Sequence, residues 1–123
     1  MGDHHPFIAL MVMNEHDRMQ ILNVIEKMRR NLQYDHPLED LAGYSGMSVR
    51  RFTASFRMVT GFAVQQYLIY MRMTNAAELL TNTNLPITTI AKKTGYSNKS
   101  AFSRKFKSII GMKPMDYRRL NKG

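Results

Sequence analysis

Eight side chains in this sequence have the types and the spacing to grip a nucleic acid: Arg50, Thr53, Ala54 and Arg57, and fifty residues later Ser100, Ser103, Arg104 and Lys107. At about 100° per residue, each quartet falls on a single helix face. An arginine can hydrogen-bond two acceptors of guanine at once, and a short hydroxyl side chain can reach either kind of base edge. Opposite the quartets stand aromatic pairs, Phe52 with Phe56 and Phe102 with Phe106. A helix buried by aromatics on one side and basic or short polar on the other has the build to lie in a DNA major groove. The competing reading is an ordinary solvated surface. It would have to hold twice, over residues 48–61 and 97–111, where no acidic residue occurs. Exposed helices ordinarily mix charge signs.

The elements that must position these faces are legible as a repeat. Residues 86–111, PITTIAKKTGYSNKSAFSRKFKSIIG, read as two short helices joined by a tight turn. Ile87, Ile90 and Ala91 line one face of the first, Thr94 and Gly95 end it, and Ser97 or Asn98 caps the second. In that second helix Phe102, Phe106 and Ile109 form the expected buried stripe. Residues 37–61 repeat the pattern. With an offset of 49, Pro37, Leu38, Leu41, Ala42, Gly46 and Ser48 match Pro86, Ile87, Ile90, Ala91, Gly95 and Ser97. With an offset of 50, Phe52, Thr53, Phe56, Arg57, Gly61 and Tyr67 match Phe102, Ser103, Phe106, Lys107, Gly111 and Tyr117. One extra residue in the second turn accounts for the change, and the whole reads as two copies of one helix-turn-helix unit.

Between the copies, residues 63–82 are helical, with Ile69, Met73, Ala76 and Leu80 in a stripe that Leu68 and Leu79 widen. Twenty residues at 1.5 Å rise give about 30 Å, close to the ~34 Å between successive major grooves on one DNA face. Ahead of the first copy, residues 17–33 carry Ile21, Ile25, Met28 and Leu32 in one stripe, and 34–37 form a loop. Pro114 opens a last short helix with Tyr117, Arg118 and Leu120. The expected fold is all-α, about seven helices, with lobe one at 17–62, a linking helix at 63–82 and lobe two at 83–121. Residues 1–16 read as an N-terminal extension, flexible or the remnant of an upstream domain.

Composition narrows the chemistry. The 123 residues carry a formal charge of +9, and residues 38–123 hold 14 Lys and Arg against 4 Asp and Glu. Basicity therefore accompanies the repeats and suits a polyanionic partner. The absence of cysteine excludes disulfides, thiolate nucleophiles and cysteine-based zinc sites. His4 and His5 beside Asp3 cannot share one face of a helix or strand and read as a flexible terminus. His16 and His36 are isolated and read as surface residues. No HExxH helix, glycine-rich phosphate loop or convergent Ser, His and Asp set is present, so neither an enzyme, a cofactor nor a metal is expected. No run of apolar residues is long enough to span a membrane. Phe7 to Met13 lacks the basic start and small-residue cleavage site of a signal peptide, so the cytoplasm is the expected compartment.

GYSNKSAFSRKFKSIIGMKPMDYR resembles the C-terminal signature of the AraC/XylS family of bacterial transcription regulators. SVRRF, FRMVTG and QQYL are similar to the family's other half-domain. The resemblance runs from about Met19 to Leu120. It implies a seven-helix DNA-binding domain with two helix-turn-helix lobes joined by a long helix, and a transcription-regulating role. Because the two reading faces differ in residue type, one monomer is expected to read two successive major grooves of a non-palindromic site. Base contacts implied by the resemblance are Arg50, Thr53 and Ala54 in the first lobe, and Lys99, Ser100, Ser103 and Arg104 in the second. Arg51, Arg57, Lys105 and Lys107 are expected at phosphates, and RNA polymerase is a candidate second partner. Ala54 cannot hydrogen-bond a base, so the first lobe is expected to read fewer bases or to offer a methyl contact to thymine. The alternative is a protein-interaction module that keeps the fold without sequence-specific DNA binding; intact Arg50, Arg104 and Lys107 speak against it.

Overall fold

The computed structural model describes residues 14–122. Among them lie seven helices and no strand: α1 (Glu15–Arg29), α2 (Leu38–Ser45), α3 (Val49–Thr60), α4 (Val64–Asn82), α5 (Ile87–Lys93), α6 (Lys99–Ile110) and α7 (Pro114–Asn121). Most of the expected N-terminal extension, including His4, His5 and the Phe7 to Met13 run, lies outside the described residues. Its last part does not stay separate: Asn14 caps α1 by accepting from the His16 N–H at 2.7 Å, so the helix starts at Glu15.

The chain divides into two compact units, one of residues 14–30 and 36–67, the other of 31–35 and 68–122. In the first, α1 buries Ile21, Val24, Ile25 and Met28, α2 buries Leu41 and Ala42, and α3 buries Phe52 and Phe56. In the second, Met73, Ala76 and Leu80 of α4 form one core with Ile87, Ile90 and Ala91 of α5 and Phe102 and Phe106 of α6. Apolar burial of this kind is the main favourable term holding helices this short.

Three details differ from the sequence expectation, and a fourth settles an alternative it left open. Helix α1 stops at Arg29 instead of running to 33. Leu32 is buried as expected, but from a turn, because Arg72 of α4 takes the backbone oxygens of Leu32 and Tyr34 as acceptors, at 3.1 and 3.0 Å. His36 is buried at 8% exposure, so it is not a surface residue. Ile109 is 52% exposed, and Ile110 packs on the core in its place. Tyr117 of α7 sits against Phe106 with ring centroids 5.5 Å apart, which brings the core round to the Ile110 side of α6. Finally, the cap of α6 is Asn98 and not Ser97: Asn98 Oδ1 accepts from the Ala101 N–H at 2.8 Å. Ser48 caps α3 equivalently, accepting from Arg51 at 3.2 Å, so Ser48 pairs with Asn98 and Ser97 is the extra residue of the second turn.

Candidate nucleic-acid interface

The two turns that present α3 and α6 are built alike. At the end of α2 the Met47 N–H reaches back to Ala42 O at 3.0 Å and Gly46 N–H to Gly43 O at 3.1 Å. At the end of α5 the Tyr96 N–H reaches Ala91 O at 2.9 Å and Gly95 N–H reaches Lys92 O at 3.2 Å. This paired closure satisfies carbonyls the helix leaves open and needs a left-handed residue at its centre, supplied by Gly46 at φ 74° and Gly95 at φ 91°. The buried hydroxyls of Ser45 and Thr94 each donate to a carbonyl of the same helix end, Ala42 O at 2.7 Å and Ile90 O at 2.7 Å.

Behind each presented helix stands the same aromatic stack. Phe52 meets Phe56 at 5.8 Å and Phe56 meets Tyr67 edge-on at 5.6 Å. Phe102 meets Phe106 at 5.7 Å and Phe106 meets Tyr117 edge-on at 5.5 Å. Such offset and edge-to-face pairs prefer defined geometry, so each stack sets which way its helix turns its opposite face.

Those opposite faces hold the residues the sequence singled out. On α3, Arg50, Arg51, Ala54 and Arg57 are exposed and Thr53 is half-buried. On α6, Lys99, Ser100, Arg104 and Lys107 are exposed, with Ser103 and Lys105 half-buried. Each set therefore lies on one helix, and each helix belongs to its own unit. Neither helix has an acidic residue in its first turn, so no carboxylate offsets the positive end of the helix dipole there. Among the described residues, Arg50, Arg57, Lys99, Arg104, Lys105 and Lys107 have no ion-pair partner.

Arg51 differs. Its Nε donates to Asp17 Oδ2 at 3.1 Å, and its Nη2 donates to the same oxygen. The Asp17 side chain is 12% exposed against 55% for Arg51, so the carboxylate is a fixed anchor and the guanidinium a held but accessible cation. The hydroxyls on the two faces differ as well. Thr53 Oγ1 donates to Val49 O at 2.8 Å, while Ser100 and Ser103 have no hydrogen-bond partner among the described residues.

Three positioning roles escaped the sequence reading. Asp17 acts across 34 residues of chain, a separation that leaves no local signal. Arg72 had a faint one, as the only cation within α4. Besides holding the 31–35 segment, its guanidinium lies 5.9 Å from the ring centre of Tyr96, the residue after the second turn's glycine. Burial pushes the Tyr96 hydroxyl above the ordinary tyrosine pKa, with the Arg72 charge pulling the other way, so a neutral ring faces the cation. Tyr96 in turn meets Phe102 of α6 edge-on at 5.8 Å. Arg118 of α7 is the third, donating to Leu80 O at 3.0 Å and Thr83 O at 3.2 Å around the end of α4.

Among the described residues there is no group of three or more His, Asp or Glu side chains able to hold a metal ion. None of the described helices is long and apolar enough to cross a membrane.

Comparison with known proteins adds to this geometry. A family profile described as a helix-turn-helix domain matches residues 41–120. The chain is 33% identical over 102 residues to the F1 operon positive regulatory protein of Yersinia pestis, covering 82% of this chain and 34% of that protein. It is 29% identical over 105 residues to the multiple antibiotic resistance protein MarA of Escherichia coli, covering 85% and 83%. Among solved structures, the DNA-binding domain of AdpA, determined in complex with a target DNA, matches with TM-score 0.76 at 29% identity over 82% of this chain and 91% of that one. An AraC-type regulator from Chromobacterium violaceum matches in fold with TM-score 0.78 at 23% identity, over 88% and 96%.

Proposed function

Because the chain belongs to the AraC/XylS family of helix-turn-helix transcription regulators, we propose that it regulates transcription by binding double-stranded DNA sequence-specifically, α3 and α6 entering successive major grooves. The observation that carries this reading is the pair of acid-free, outward, cationic faces, each laid over the same Phe–Phe–Tyr stack. A helix so oriented delivers side chains to base edges near its N-terminal half and cations to phosphates along its length.

Arg50, Thr53 and Ala54 read bases from α3, and Lys99, Ser100, Ser103 and Arg104 read them from α6. Arg51, Arg57, Lys105 and Lys107 meet phosphates, each neutralised phosphate releasing counterions and making affinity salt-dependent. Arg51 keeps guanidinium N–H groups beyond the two held by Asp17, enough for one phosphate oxygen. The relatives it matches include a positive regulator and a transcriptional activator, which favours activation, with RNA polymerase as the second partner and the cytoplasm as the compartment. Those relatives are regulators, and we assign the chain no catalytic role.

Selection of bound duplexes from random DNA, followed by footprinting, tests the reading. The expected product is one non-palindromic site of ~20 bp, two neighbouring major grooves on one face, protected by a single chain. A symmetric site that requires two chains, or equal binding to every duplex, would overturn it.

A further inference from the structure

The middle of the α3 face, one turn from Arg50 and one turn from Arg57, is formed by Thr53 and Ala54. Ala54 is exposed and ends in a methyl group. Thr53 is half-buried, and its single hydroxyl hydrogen is committed to Val49 O at 2.8 Å. A base edge arriving there finds no donor: Ala54 offers only its methyl group, and the proton of the Thr53 hydroxyl is turned back into the helix. On α6 the same two positions are Ser103, whose hydroxyl has no partner among the described residues, and exposed Arg104.

In the major groove, the C5 methyl of thymine is the one methyl group that a base pair presents, set among hydrogen-bond donors and acceptors. We infer that the centre of α3 is a thymine-methyl subsite, made by the methyl groups of Thr53 and Ala54 and flanked by Arg50 and Arg57. The subsite rests on the regulator reading and sharpens it. The first lobe recognises one or two thymines by apolar contact at its centre and donates hydrogen bonds only from its ends. Ser103 and Arg104 give the second lobe a hydrogen-bonding centre. Thr53, half-buried and inward-bonded, is thereby a specificity residue that acts through its methyl and not its hydroxyl.

The test uses the full chain on the duplex obtained by selection. Each thymine under α3 is replaced in turn by deoxyuridine, which removes the C5 methyl and leaves every hydrogen-bonding group. One or two positions should lose about three- to fivefold in affinity, the worth of one buried methyl. Thr53→Val keeps the methyl and drops the oxygen, so it should bind within about twofold of wild type and stay sensitive to deoxyuridine. Thr53→Ser keeps the oxygen and drops the methyl. It should lose about as much as the deoxyuridine duplex, and the two losses should not add, as expected of groups in contact. Melting of each variant confirms that α3 is intact. The subsite is overturned if deoxyuridine is harmless at every position under α3, or if Thr53→Ser binds normally while Thr53→Val loses tenfold. Failure to enrich any duplex during selection is a different result: it overturns the regulator reading, and the subsite with it.

Discussion

The inner sides of α3 and α6 carry the same Phe–Phe–Tyr arrangement, while their outer sides share little beyond positive charge. Phe52–Phe56–Tyr67 and Phe102–Phe106–Tyr117 repeat both their centroid separations and the 78° angle of the edge-on pair. Outside, Arg50, Thr53, Ala54 and Arg57 stand where Ser100, Ser103, Arg104 and Lys107 stand fifty residues later. Interior packing tolerates little change in volume or shape, because every buried methylene has neighbours. A face that meets water or a partner is under no such restraint from its own lobe. The two copies thus keep one device for aiming a helix and use it to aim two different sets of groups.

The turns supply a second contrast. A side-chain carbon at Gly46 would meet nothing within 4 Å, whereas at Gly95 it would lie 2.6 Å from both Arg72 Cζ and Leu32 O. Glycine is required at both by the positive φ, but only the second turn is also closed on, by the Arg72 side chain from α4 and by the Leu32 carbonyl.

The sharpest way to break the claim of equivalent interiors is to hollow them. Phe56→Ala and Phe106→Ala should each cost about 3–5 kcal/mol in chemical denaturation, most of what a domain this small has. A loss in one copy and cooperative, near-wild-type unfolding in the other would show that the two stacks differ in weight. Next in size is the pair of turn glycines. Gly46→Ala should cost about 1–2 kcal/mol for a left-handed alanine. Gly95→Ala should cost at least about 1 kcal/mol more, since the Leu32 carbonyl must shift and Arg72 must give up its hydrogen bond to it. Equal values in urea titrations would mean that Arg72 and the Leu32 carbonyl both yield freely.

The outer faces are tested by binding. Arg104→Ala should cost about 1–3 kcal/mol on the selected site and relax the preference at one base pair, with guanine as the expected base. Competition assays with single-base variants of the site would read this directly. The smallest effect is that of Lys107→Ala. It should weaken all duplexes alike and flatten the slope of log affinity against log salt by about one unit. If both variants lost affinity to the same extent on every sequence, the division between base and phosphate contacts on α6 would be wrong.

Much of this was legible in the residues alone, for a definite reason. Helical periodicity and the need to bury apolar surface are local rules, and a repeated pattern of Pro, Gly, Phe and Tyr states them twice. The seven helices and the outward position of the basic quartets follow from spacing at 3.6 residues per turn. Spacing could not choose between Ile109 and Ile110, since both fall near the edge of the aromatic stripe; the position of Tyr117 on α7 decided it. Nor could it tell Ser97 from Asn98 as a cap, because both offer an oxygen and only the turn's closure fixes which one faces an open N–H.

What the sequence by itself determined is an all-α repeat with two cationic, acid-free helix faces, because those properties depend on residues three and four apart. Tertiary structure alone decided that Asp17 anchors Arg51, that Arg72 holds the 31–35 segment beside the second turn, and that His36 is buried. The two arginine contacts depend on partners tens of residues away, brought together only when the apolar faces close. It also turned the Thr53 hydroxyl back onto Val49 O. A threonine in a helix has more than one allowed rotamer, and the letters of a sequence do not say which one is taken.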